Sequence, residues 1–284
     1  MIEPPLVSPT GLEQAYRLLA EAVHRPIAGG TDVLVQLSGA LGPPPERLLD
    51  LWGLDELRGI NLDGDALTLG ALTTYTEIRR SAVCRDLVPA LVDAAATVGA
   101  AQIQNRGTLG GNVANASPAG DMLPVLLATD ATIVVGSLRG EREVPAAGFW
   151  TGYRKTALQP DEIVVRMRIP LIADRQVRFR KIGTRRAQAI SKVVLALSWV
   201  AESPGVPWRM VRLGLGSVAE RPIRATATEA VLEGRLPTSD SANTASVRVA
   251  AEIEPINDVR STADYRRAVT ARVLHRLIRE AGGW

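Results

Sequence analysis

Residues 105–121 read NRGTLGGNVANASPAGD, a polar run broken by glycines and set between two strongly apolar segments in the middle of the chain. No periodic apolar pattern is evident in it, so the sequence predicts a long loop here, flanked by core-forming elements. A second glycine pair stands upstream in RPIAGGTDVLVQL (25–37), where a short apolar step leads into Gly29, Gly30, Thr31 and Asp32 before apolar residues resume. Any fold for this chain has to place both glycine loops against a core.

Glycine lets backbone approach a neighbour closely and adopt positive φ. Amides with no side chain in the way can converge on an anion, and a diphosphate demands the most of them. The first loop, Ile27–Val33, offers Gly29 and Gly30 for approach and Thr31 as a hydroxyl donor. The second, Thr108–Asn112, offers a hydroxyl, an apolar residue able to anchor inward, Gly110, Gly111 and an amide side chain. Either loop alone also reads as a tight turn; together, flanking one site, they can enclose a diphosphate without a lysine. Neither is a Rossmann or P-loop fingerprint. The nearest dinucleotide match, GLGSVA (214–219), runs into Glu220, Arg221 and Pro222 rather than a helix, and reads as the end of a strand.

Composition narrows the remaining classes. The chain has 284 residues, enough for two or more packed subdomains, with hydrophobic and charged fractions of 46% and 22% that suit a soluble protein. A net charge of +3 does not imply nucleic acid. The single cysteine, Cys84, excludes a disulfide framework and any self-contained cysteine-ligated cluster, and His24 and His275 are too far apart to suggest a zinc site. The opening MIEPPLVSPTG does not look like a signal peptide, and no apolar run is long enough to span a membrane, so a cytoplasmic protein is expected.

Local patterns supply the elements. A capping box at Thr10/Glu13 predicts a helix over 10–23, and a second at Thr74/Glu77 predicts another. Residues 47–51 suit a buried strand, and 58–72 form two alternating runs about Asp63-Gly64, a hairpin signal. Helical spacing marks 86–98; MLPVLLATDATIVVGS reads as a helix turning into a strand near Asp130; Ile163–Ile169 is a strand. The character changes near 173–175, where a domain boundary is expected, and the chain closes on an amphipathic helix.

IAGGTDVLV, NRGTLGGNVANASPAGD, GYRKTALQPDEI, KIGTRRAQAISKV and DVRSTADYRR resemble, in this order and spacing, the FAD-binding subunit of the molybdenum hydroxylases, the family of xanthine and carbon monoxide dehydrogenases. GYRKT is more similar to the xanthine dehydrogenase branch. The resemblance implies an α+β chain: a FAD-binding domain of two subdomains over residues 1–174, of the PCMH/vanillyl-alcohol-oxidase-like type, then a smaller α+β domain over 175–284 of the CO dehydrogenase flavoprotein type. It implies that Ile27, Ala28, Gly29, Gly30, Thr31, Asp32 and Val33, with Thr108, Leu109, Gly110, Gly111 and Asn112, surround the FAD diphosphate. By the same resemblance Asp121 contacts the cofactor, Val164 lies beside the flavin or adenine, and Lys181 stands near the isoalloxazine. Where relatives sometimes place an aromatic beside the ring, this chain has Val98.

The function so implied is electron transfer. FAD would be held non-covalently, with no catalytic acid or base and no metal on this chain. The molybdenum cofactor would sit on a large partner subunit and the [2Fe-2S] clusters on a small one, with NAD or another compound as electron acceptor. Two other readings stand beside it. A stand-alone flavoprotein oxidase of the same two-loop fold would act directly on substrate, with His24 as a candidate for a covalent flavin bond; a non-enzymatic scaffold would leave both glycine loops unexplained.

Overall fold

The computed structural model describes residues 4–39, 42–185, 187–203 and 205–284. Leu6–Val7, Leu48–Asp50 and Arg25–Ile27 form a small parallel sheet with Leu48–Asp50 in the centre. Parallel neighbours need a crossover, and the helix Leu12–Glu21 supplies one between the outer strands. Its Ala15 and Leu19 pack with Leu49, Leu51, Leu54 and Leu57. The N-cap is Gly11, not Thr10, whose amide and hydroxyl pair with Gln14 Oε1 instead at 2.6 and 3.0 Å.

A five-stranded antiparallel sheet follows, in the order Ile60–Asp63, Ala66–Gly70, Ile163–Pro170, Thr132–Ser137, Gly140–Pro145. The hairpin turns at Gly64, with φ +59°. The helix Tyr75–Arg80 opens with both halves of the Thr74–Glu77 capping box in place. The helix expected over 86–98 is two helices, Ala82–Leu87 and Pro89–Thr97. Proline at the first position of the second helix favours a fresh start, because its ring disfavours helix at Val88.

The predicted loop at 105–121 is corrected by the structure. Residues Leu109–Asn115 are a helix capped by Thr108, whose Oγ1 accepts from Gly111 N at 3.0 Å, and ended by Ala116 at φ +50°. Leu109, Val113 and Ala116 are fully buried at i, i+4 and i+7, a stripe hidden by the glycines and amides around it.

The third sheet, Arg175–Ile182, Val193–Val200, Arg209–Gly216 and Ile223–Arg224, is antiparallel throughout. Side chains alternate between its faces. Val193, Leu195 and Leu197 pack with residues of the helices Thr226–Leu232, Ser239–Glu252 and Ala263–Gly282. Val194 and Ala196 turn the other way, into the core that holds the helix Leu123–Ala128. Both faces are therefore covered, which is why Val193–Val200 is buried at every position. Gly214 permits the contact: a Cβ there would lie 2.2 Å from Pro124 O. Asp130 adds ion pairs to Arg212 and Arg224 at 2.9 and 3.0 Å.

Candidate functional site

A cleft of ≈330 Å³ is lined by the first glycine loop, the start of the helix Leu109–Asn115 and residues 154–164. The two glycines of the first loop have different reasons. A Cβ on Gly29 would sit 1.6 Å from the Arg106 carbonyl, so only glycine lets the loop lie against the end of the helix Ala101–Arg106. Gly30 has φ +76°, in the region where a side chain is strained. Among the described residues, the amides of Ala28, Gly29, Gly30, Thr31 and Asp32 donate to no protein acceptor. Successive amides left free on a concave turn make an anion cradle.

The second glycine run works differently, which corrects the picture of two equivalent loops. Leu109 N donates to Thr73 O at 2.9 Å, Gly110 N to Ala71 O at 2.8 Å, and Asn112 N to Thr108 O at 3.0 Å. These amides close the protein on itself. Gly110 is there for packing, since a Cβ would meet the Ala71 Cβ at 2.6 Å. What this segment leaves unpaired is Asn112 Oδ1, buried and without a partner among the described residues.

Of the residues expected at the site, Ala28–Val33, Thr108, Gly110, Gly111, Asn112 and Val164 line this cleft. Ile27 does not; it ends the strand Arg25–Ile27, half-buried. Leu109 points into the core, fully buried. Asp121 and Lys181 also lie outside the lining, paired with each other at 2.6 Å. His24 is not part of the lining; its Nδ1 lies 2.9 Å from Ala22 O.

Further lining residues were not singled out from the sequence: Tyr75, Asn115, Arg154 and Glu162 among them. Burial pushes the Tyr75 phenol above its ordinary range, so it is a neutral wall residue at physiological pH. Glu162 is gripped by Arg142 at 2.8 and 2.7 Å and accepts from Gln159 N. The guanidinium holds its carboxyl below the usual value, against the opposing effect of burial. Asn115 Nδ2 donates to Asp32 Oδ1 at 2.9 Å, and Arg154 Nη1 donates to Asn115 Oδ1 at 2.9 Å. Both Arg154 and Glu162 fall inside or beside the motif GYRKTALQPDEI, but nothing in one sequence distinguishes them from its other polar residues.

Among the described residues, no group of three or more His, Cys, Asp or Glu could hold a metal ion, and no helix is long and apolar enough to cross a membrane. The free amides and the apolar walls suit a nucleotide carrying a diphosphate, and FAD fits that donor set.

Residues 2–172 match the family model described as the FAD binding domain in molybdopterin dehydrogenase, and residues 178–281 the CO dehydrogenase flavoprotein C-terminal domain. The chain is 31% identical over 280 residues to the xanthine dehydrogenase FAD-binding subunit of Escherichia coli O157:H7, covering 96% of this chain and 95% of that one. It is 30% identical over 282 residues to the carbon monoxide dehydrogenase medium chain of Hydrogenophaga pseudoflava, with 96% and 95% covered. The solved structure of carbon monoxide dehydrogenase from Hydrogenophaga pseudoflava, lacking the Mo-pyranopterin moiety of its cofactor, superposes with a TM-score of 0.92 over 97% of this chain and 96% of that one, at 30% identity. The chain therefore belongs to the family of FAD-binding domains of molybdopterin dehydrogenases, joined to a CO dehydrogenase flavoprotein C-terminal domain.

Proposed function

We propose that this chain is the FAD-containing electron-transfer subunit of a multi-subunit molybdenum hydroxylase. The observation that carries it is the run of amides at Ala28–Asp32, which have no protein acceptor among the described residues, in a loop that lines the cleft. Bound FAD would supply the redox chemistry; the protein's part is to bind, orient and tune it. The amides of the first loop would hold the diphosphate, and Asn112 and Val164 would furnish wall beside the cofactor. Asp121 and Lys181 enter as the residues that the resemblance places by the flavin ring. Among the described residues no histidine or cysteine lines the cleft, which supports a non-covalently held flavin.

The division of labour follows from what the chain carries. Its one cysteine is buried, with its thiol pushed up by that burial, and cannot ligate a cluster. Iron–sulfur centres and the molybdenum cofactor then belong to a small and a large partner subunit in a heterotrimeric unit, with the flavin passing electrons to an external acceptor. We place the boundary between the two domains at 174/175 and the complex in the cytoplasm. A direct-acting oxidase is not favoured, since the relatives are subunits of molybdenum-dependent dehydrogenases.

Acid precipitation of the purified chain is expected to release FAD into the supernatant. Flavin remaining with the precipitate would overturn non-covalent binding; FMN, or no flavin after incubation with FAD, would overturn the cofactor. Reduction of the flavin by an organic substrate without any other subunit would restore the oxidase reading.

A further inference from the structure

We infer that Arg154 is the cation that balances a cofactor diphosphate in this cleft, acting through Asn115 on the carboxylate of Asp32. This rests on the FAD reading above and adds to it a binding residue outside both glycine loops.

The charge inventory of the cleft wall leads there. Its described acidic residues are Asp32 and Glu162, and its cations are Arg25 and Arg154. Glu162 is already neutralised by the bidentate Arg142. Asp32 has no lysine or arginine within ion-pair distance among the described residues, yet it sits at the end of the amide run that would carry the diphosphate. An anion on those amides would lie beside a carboxylate, and like charges in a partly desolvated cleft repel. The Asn115 carboxamide turns its NH2 to Asp32 and its carbonyl to Arg154, each at 2.9 Å. That orientation polarises the amide so that positive charge is delivered toward Asp32.

The backbone at Arg154 supports a role beyond a surface arginine. Arg154 lies in the tight turn between the short strands Trp150–Gly152 and Lys155–Thr156 with φ +51°, a conformation costly for a residue with a side chain. The turn therefore aims a guanidinium at the cleft mouth at some cost to itself. Asp32, Asn115 and Arg154 come from separate segments, so the relay also ties the first loop to the helix end and to the opposite wall.

The test is a set of binding titrations with FAD, ADP and riboflavin on the flavin-depleted full chain. Arg154→Gln is expected to weaken FAD and ADP about tenfold, the scale of a hydrogen bond to a charged group, and to leave riboflavin unchanged. The loss should shrink as ionic strength rises from about 0.05 to about 0.5 M, and Arg154→Lys should retain most of the affinity. In an Asp32→Asn background, where the repelling charge is gone, Arg154→Gln should cost less than about threefold. Equal weakening of riboflavin, a loss indifferent to salt, or the full loss in the Asp32→Asn background would overturn the proposal. Wild-type chain that binds no FAD would bring down the cofactor reading itself; wild-type binding with unaltered Arg154→Gln and Arg154→Lys would bring down only this one.

Discussion

Lys181 Nζ lies 2.6 Å from Asp121 Oδ2, with both side chains 8% exposed, and the pair crosses from one domain to the other. Lys181 also donates to Thr97 O at 2.9 Å, and Ser191 Oγ donates to the second carboxylate oxygen. Burial raises the Asp121 carboxyl from its ordinary value, opposed by Lys181 and by the hydroxyls of Ser191 and Thr97. The cation expected beside a flavin is thus half of a closed, water-poor ion pair.

Removing one partner of such a pair leaves a buried charge uncompensated, whereas removing both does not. Lys181→Met is expected to destabilise the chain by about 3 kcal/mol, read from the midpoint of urea unfolding. Asp121→Leu in the same chain should recover most of that loss. An unchanged midpoint for the single variant would return Lys181 to the role of a solvated side chain.

The glycines separate by what a methyl group would meet. Gly29→Ala meets the Arg106 backbone carbonyl at 1.6 Å, and backbone cannot step aside without moving the loop. Gly111→Ala meets only the Thr108 hydroxyl at 2.9 Å, at the end of a side chain. FAD content after gel filtration is expected to fall more than about tenfold for Gly29→Ala, a loss exceeding ~1.4 kcal/mol, and to stay close to wild type for Gly111→Ala. Equal retention by the two variants would contradict the assignment of the first loop as the diphosphate cradle.

Glu162 gives a pH signature. Its carboxyl is held below the ordinary 4.5, by the Arg142 hydrogen bonds first, with burial opposing and the Gln159 amide assisting. A depressed folded value means that the stabilisation is present above the unfolded pKa and is lost as pH falls through the folded one. Glu162→Gln should therefore lower Tm by roughly 2–4 °C at pH 7, a shift corresponding to about 1 kcal/mol. The gap between variant and wild type should close as pH drops below the ordinary glutamate value. A gap that persisted there would mean that shape, not charge, is what Glu162 contributes.

Short-range chemistry explains what the sequence determined unaided. The Asp63-Gly64 hairpin, the Thr74–Glu77 cap, the turn from helix to strand at Asp130 and the closing helix each depend on residues a few positions apart. Pattern and turn chemistry therefore suffice for them. The helix Leu109–Asn115 escaped that logic because its first amides are fixed by the carbonyls of Thr73 and Ala71, which no local window contains. The site escaped it further. Asp32 meets Asn115 across 83 positions, Asn115 meets Arg154 across 39, and Lys181 meets Asp121 across 60. Those meetings depend on the order of strands in three sheets and on which faces are covered. Such choices are made by packing the whole core, so the sequence supplied the donors and acceptors while the tertiary structure decided which face the cleft and which close on one another.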